Sequence, residues 1–168
     1  MAGNKYLKIS GGAIAEQAAL QSSSGAGDAG AIVALDASGR IDTSMMPTGI
    51  GADTATIQAS ENLADGDLVN IHNSSGAKVR KADATTAGKE AHGFVLGAVT
   101  SGQNATVYFE GANTGVTGLT PGVQYLSTTA GLATSTPPST AGNIVQRVGL
   151  ATAATSLNFE SGVAVTLA

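Results

Sequence analysis

The sequence predicts an all-β fold: small antiparallel barrel or sandwich units preceded by an extended N-terminal arm that holds a short helix. Three observations predict it. From Thr54 onward, short β-branched runs alternate with turn signals at the frequency of a barrel or sandwich. The chain has 23 glycines and abundant Ala, Ser and Thr but only 4% aromatic residues, a composition suited to tight turns and closely packed strands. Every Thr lies after Asp42, so the first third is different material from the rest.

That first third, residues 1–53, is read as arm and linker. Residues 12–21 (GAIAEQAALQ) are rich in Ala, Glu, Gln and Leu and predict a short helix. Residues 22–30 (SSSGAGDAG) read as a flexible linker. The apolar run 31–35 (AIVAL), the turn signal at 36–39 (DASG) and Arg40-Ile41-Asp42 predict a small hairpin. In 43–53 (TSMMPTGIGAD), Pro47, Gly49 and Gly51 oppose any regular element, while Met45, Met46 and Ile50 offer apolar contacts. Such a segment is ordered most easily by lying across another surface.

From Thr54 the predicted strands are 54–59, 68–72, 78–82, 92–99, 105–110, 123–127, 144–151, 156–159 and 163–167. Turns are expected at 64–67, 73–76, 100–103, 120–122 and 130–131. An internal similarity divides this region. Leu63-Ala-Asp-Gly66 matches Leu119-Thr-Pro-Gly122, and Asn73-Ser-Ser-Gly76 matches Thr128-Thr-Ala-Gly131. Thr86-Ala-Gly88 then matches Thr140-Ala-Gly142, and Phe109-Glu110 matches Phe159-Glu160. The order of marks is preserved, which predicts two related β-units, 54–115 and 116–168, packed as one domain or standing as two.

Composition excludes much chemistry. With no Cys there are no disulfides, thiolate metal sites or Cys nucleophile. A net charge of −4 with 12% charged residues gives no field for nucleic acid or anionic lipid. The short basic run Lys78, Arg80 and Lys81 reads as a solvated strand face. No apolar run follows the N-terminal charges and none approaches the ~18 residues of a span, so neither signal peptide nor membrane segment is expected.

The remaining motifs are weak. Gly25-Ala-Gly27-Asp-Ala-Gly30 is a literal G-x-G-x-x-G, but a Ser-rich linker precedes it and an apolar run follows, the reverse of the strand-to-helix context that binds pyrophosphate. His72 and His92 are not at metal-ligand spacing and read as strand-end residues bonding locally. There is no G-x-S-x-G elbow. Glu110 and Glu160 are conceivable as a glycosidase pair, yet their equivalent repeat positions argue for a shared structural role. Asn73-Ser-Ser75 and Asn104-Ala-Thr106 match the glycosylation sequon in predicted turns, where Asn is common for its own reasons. The expectation is a protein that is not an enzyme, with no cofactor and no metal.

Three stretches carry a resemblance: 30–54 (GAIVALDASGRIDTSMMPTGIGADT), 62–110 with its RKADATTAGKEAHGFVLGAVTSGQNATVYFE core, and 119–157 with LTPGVQYLSTT and QRVGLATAATSL. Together they cover most of the chain, and they resemble tailed-bacteriophage virion proteins of the capsid decoration (cement) and head- or tail-fibre kinds. The resemblance implies a virion structural protein on the outer capsid surface, made in the bacterial host cytoplasm. It further implies a homotrimer, an extended arm clamping the major capsid protein, and neither nucleic acid nor membrane as partner. The alternative it carries is a fibre component that attaches by its N-terminal region and presents a β-domain to the host surface. The candidate contact residues of the arm are Ile32, Val33, Leu35, Met45, Met46, Pro47 and Ile50.

Overall fold

The structure, a computed structural model, describes residues 5–47 and 51–168. The protein is all-β, and its chain divides into two compact units, Met1–Gly51 and Ala52–Ala168.

In the first unit, β1 (Lys5–Ser10) and β2 (Ala13–Ala18) form an antiparallel hairpin, Lys5 opposite Ala18 and Ser10 opposite Ala13. The helix expected at 12–21 is therefore absent. The physical reason lies in the turn: Gly11 and Gly12 have φ of +60° and +83°, the left-handed pair that a two-residue hairpin loop requires. That turn folds Ala13–Ala18 back onto a ready strand, and the Ala/Glu/Gln propensity, a weak bias, is overridden. Single 3-10 turns follow at Ala26–Asp28 and Thr43–Met45. The second falls where no regular element was expected, because Asp42 caps it by accepting from the Ser44 N–H at 2.9 Å.

The hairpin expected over 31–42 reduces to its turn. Asp36 Oδ1 accepts from the N–H groups of Ser38 (2.8 Å) and Arg40 (2.9 Å), and the Asp36 N–H donates to Arg40 O at 2.8 Å. No ladder extends from it. The 31–35 run turns instead to Leu20: Val33 forms a parallel bridge with it, Leu20 N donating to Ile32 O (2.9 Å) and Ala34 N to Leu20 O (2.7 Å).

In the second unit, β3 (Thr54–Ala59), β4 (Leu68–Asn73), β5 (Ala77–Lys81), β6 (Gly93–Val95) and β7 (Asn104–Tyr108) close into a five-stranded barrel, order β3-β5-β4-β6-β7. The closing contact is parallel, Gln58 opposite Lys78 and Ala59 opposite Val79. Alternation sorts the side chains. Ala59, Val69, Val79, Val95, Ala105 and Val107 fill the barrel, while Leu68, Phe94 and Tyr108 point outward from the same strands.

Beyond the barrel, β8 (Glu110–Asn113), β9 (Gly122–Leu126), β10 (Ala133–Thr134), β11 (Ile144–Ala153) and β12 (Ser156–Glu160) form a sheet ordered β10-β9-β11-β12-β8, with β13 (Ala164–Thr166) also on β11. This order repeats the barrel, which from β5 runs β5-β4-β6-β7-β3. All four shared pairings are antiparallel in both. Equivalent links recur as well: Leu63 N donates to Val99 O and Leu119 N to Ala154 O, and Gly88 and Gly142 adopt φ of +85° and +84°.

Besides the added β13, the difference is closure. Leu126, Val148, Leu157 and Phe159 of the second sheet share one buried cluster with Leu68, Phe94 and Tyr108 of the barrel, so the space a closed sheet would enclose is filled by its neighbour. Phe94 is central, stacked on Tyr108 (centroids 5.3 Å) and edge-on to Phe159 (5.6 Å). After β10 the Thr136 N–H donates to Thr134 Oγ1 at 3.2 Å, and Pro137 and Pro138 beyond it have no N–H to resume a ladder.

Candidate interaction surface

Among the described residues none of the first unit is buried, and every buried hydrophobic side chain lies between Ala59 and Phe159. The β1–β2 hairpin has two unlike faces. Tyr6, Ala15 and Gln17 are partly covered, and Tyr6 and Gln17, with Lys8, Leu20, Asp28 and Ile32, line a groove of about 510 Å³. The opposite face, Lys5, Leu7, Ile9, Ile14, Glu16 and Ala18, is wholly exposed, with Leu7 at 71%, Ile9 at 79% and Ile14 at 75%. Ile9 and Ile14 are directly opposed next to the turn, and Lys5 and Glu16 form an ion pair nearer the base. The apolar face is thus the uncovered one, the reverse of what burial favours within a single chain.

Of the candidates named from sequence, Ile32, Val33, Leu35, Met46 and Pro47 are exposed or partly so, and Met45 is half-buried. Ile50 lies outside the described residues. The backbone of 32–35 is held to residues 20–21, Gln21 Nε2 donating to Leu35 O at 2.9 Å. The Met45 turn is tied in by Ser23 N donating to Ser44 Oγ at 2.8 Å. Sequence reasoning missed Leu7, Ile9 and Ile14. The available signal was Gly11-Gly12 flanked by Leu7-Lys8-Ile9 alternation, a hairpin signature.

Elsewhere the side chains make structural bonds. Asp28 Oδ2 accepts from Ser24 N (2.6 Å) and Ser23 Oγ (3.3 Å), so at the G-x-G-x-x-G segment a carboxylate already holds a backbone donor that a phosphate would need. Arg80 does not stand free: Nε donates to Asn70 Oδ1 (3.0 Å) and Nη2 to Gly88 O (2.9 Å). His92 Nδ1 accepts from Ile71 N at 3.0 Å.

His72 Nε2 lies 3.0 Å from Ser60 Oγ, a contact no motif announced. Ser60 Oγ also donates to Val79 O at 3.1 Å, so both bonds form together when the imidazole donates to the hydroxyl, the reverse of a base activating a nucleophile. Burial, and after it the Arg80 charge, hold the His72 pKa below its usual value, with Glu61 acting the other way. Glu110 and Glu160 face each other across β8 and β12, both exposed, with Arg147 bound to Glu160 at 3.0 Å. Among the described residues no three metal-ligating side chains converge, and no helix is long and apolar enough to cross a membrane.

The chain matches no protein-family model, no curated protein and no solved structure.

Proposed function

We propose that the protein is a capsid decoration protein of a tailed-phage head, with Ala52–Ala168 as the rigid body and Met1–Gly51 as an arm laid on the major capsid protein. On this reading it catalyses nothing and works by adding contacts between capsid subunits at the outer surface of the virion. The observation that carries it is the inverted burial of the first unit. No described residue there is buried, yet in the segment from Ala31 to Pro47 the side chains of Ile32, Val33, Leu35, Ile41 and Met46 stand exposed.

The energetics favour an arm completed by a partner. Ordering the backbone costs about 1–2 kcal/mol per residue, and a two-stranded hairpin alone is marginal. Burying aliphatic side chains returns about 1.5–3 kcal/mol each. The first unit holds that return in reserve until another surface covers it, and repetition over many copies on a shell multiplies a modest contact.

Deleting residues 1–51 tests the arm. The truncated protein is expected to keep its far-ultraviolet circular dichroism and thermal transition but no longer to co-sediment with capsids. Retained co-sedimentation sinks the arm model. Counting copies per virion separates the head from a fibre: decoration requires hundreds, and a handful reassigns the chain to a fibre.

A further inference from the structure

We propose that the exposed face of the β1–β2 hairpin is a self-association surface, covered by the same face of a second copy of this chain about a two-fold axis parallel to the strands. The inference does not rest on the capsid reading, and it leaves the Ala31-to-Pro47 segment free for another partner.

The face complements itself. In a two-fold arrangement with both Gly11-Gly12 turns at the same end, β1 of one copy lies over β2 of the other. Ile9 then stacks on Ile14 of the second copy, twice over by symmetry. Leu7 meets the aliphatic stem of Glu16, and Lys5 lies over the small Ala18 with the second copy's Glu16 one row away. The Lys5–Glu16 pair, which crosses the hairpin diagonally within one chain, is matched by two equivalent pairs across the contact.

Charge favours this occupant. The chain carries −4 overall and its copies repel, but this face holds one cation and one anion and is neutral. A basic or an acidic partner gains nothing from it. The face is also free of aromatic side chains, so a second sheet face of the same twist can approach to the usual spacing of about 10 Å. The exposed aliphatics of the second unit form no comparable pair: Val163 (88%), Val165 (57%) and Leu132 (51%) are not opposed to one another in any strand register, and Val123 and Leu150, which are opposed on β9 and β11, are each only 42% exposed.

The absence of native Cys permits a clean test on the full chain. Ile9→Cys and Ile14→Cys proteins are mixed with a short bis-maleimide whose reach matches the roughly 10 Å between facing sheets, with Thr117→Cys, an exposed residue of the second unit, as control. The expected result is a cross-linked heterodimer of the Ile9→Cys and Ile14→Cys chains at about tenfold the yield of any pair containing the control. A yield no higher than the control overturns the proposal. In sedimentation velocity, Ile14→Lys is expected to weaken self-association at least about tenfold while leaving the thermal transition of the second unit unchanged. An unchanged mass distribution, or loss of capsid binding with no change in mass, overturns it, the latter by assigning the face to the capsid protein.

Discussion

Gln146 enters the core as if it were backbone. Its Oε1 accepts from Ala91 N at 2.7 Å and its Nε2 donates to Ala91 O (2.9 Å), Ser161 Oγ and Gly162 O (both 3.2 Å). One buried side chain thereby pairs the chain ahead of β6 with the bend after β12. Gln146→Leu keeps the volume but orphans the Ala91 N–H, while Ser161 still serves the carbonyl. The expected loss is about 1–3 kcal/mol in urea denaturation. Gly149 is less forgiving: at φ +139° its missing Cβ would lie 2.0 Å from Asn158 O on the neighbouring strand. Gly149→Ala is expected to cost at least about 3 kcal/mol, read as a fall in the denaturation midpoint or as loss of folded protein. For His72 the folded pKa is lowered, so as pH falls below 6.5 the unfolded chain takes up the proton first and stability declines until the folded value is reached. Between about pH 7.5 and 5.5 the wild-type midpoint should therefore fall further than that of His72→Gln.

The elements divide by how their information is held. Strand β3 falls at the bounds that β-branched alternation predicts, and β4, β9, β11 and β12 lie within two residues of theirs, because a strand half-buried in a barrel or sheet writes its period into its own sequence. Strands β1 and β2 do not write it that way. Their period shows only in the short Leu7-Lys8-Ile9 alternation beside Gly11-Gly12, and the Ala, Glu and Gln of 12–21 outweighed it in favour of helix. Leu7, Ile9 and Ile14 were thereby passed over as exposed apolar residues, while Ile32, Val33 and Leu35 were legible as an apolar run between turn signals. Pairing partners were illegible for a different reason: nothing in 31–35 specifies Leu20 as its neighbour, since a single parallel bridge depends on the path of the whole linker. At this scale the prediction concerns the turn. Replacing Gly11-Gly12 by Ala-Ala puts two side chains into left-handed backbone, at about 1–2 kcal/mol each, and is expected to erase amide-exchange protection in β1 and β2 alone.

Across the molecule, the two β-units of Ala52–Ala168 share a cluster that neither completes alone. Phe94 touches aromatic rings from both, so Phe94→Ala is expected to cost about 3–5 kcal/mol and to lower one transition for the whole unit rather than split it in two. Two resolved transitions in calorimetry would contradict a common core. The repeated strand order has a consequence for what keeps each strand in its own sheet. In the native order β7 and β12 occupy equivalent places, as do β4 and β9, so a sheet with one exchanged for the other would keep the same antiparallel pattern. What such an exchange would forfeit is the contact between halves: the rings around Phe94 and the Gln146 bonds to Ala91 form only when each sheet keeps its own strands.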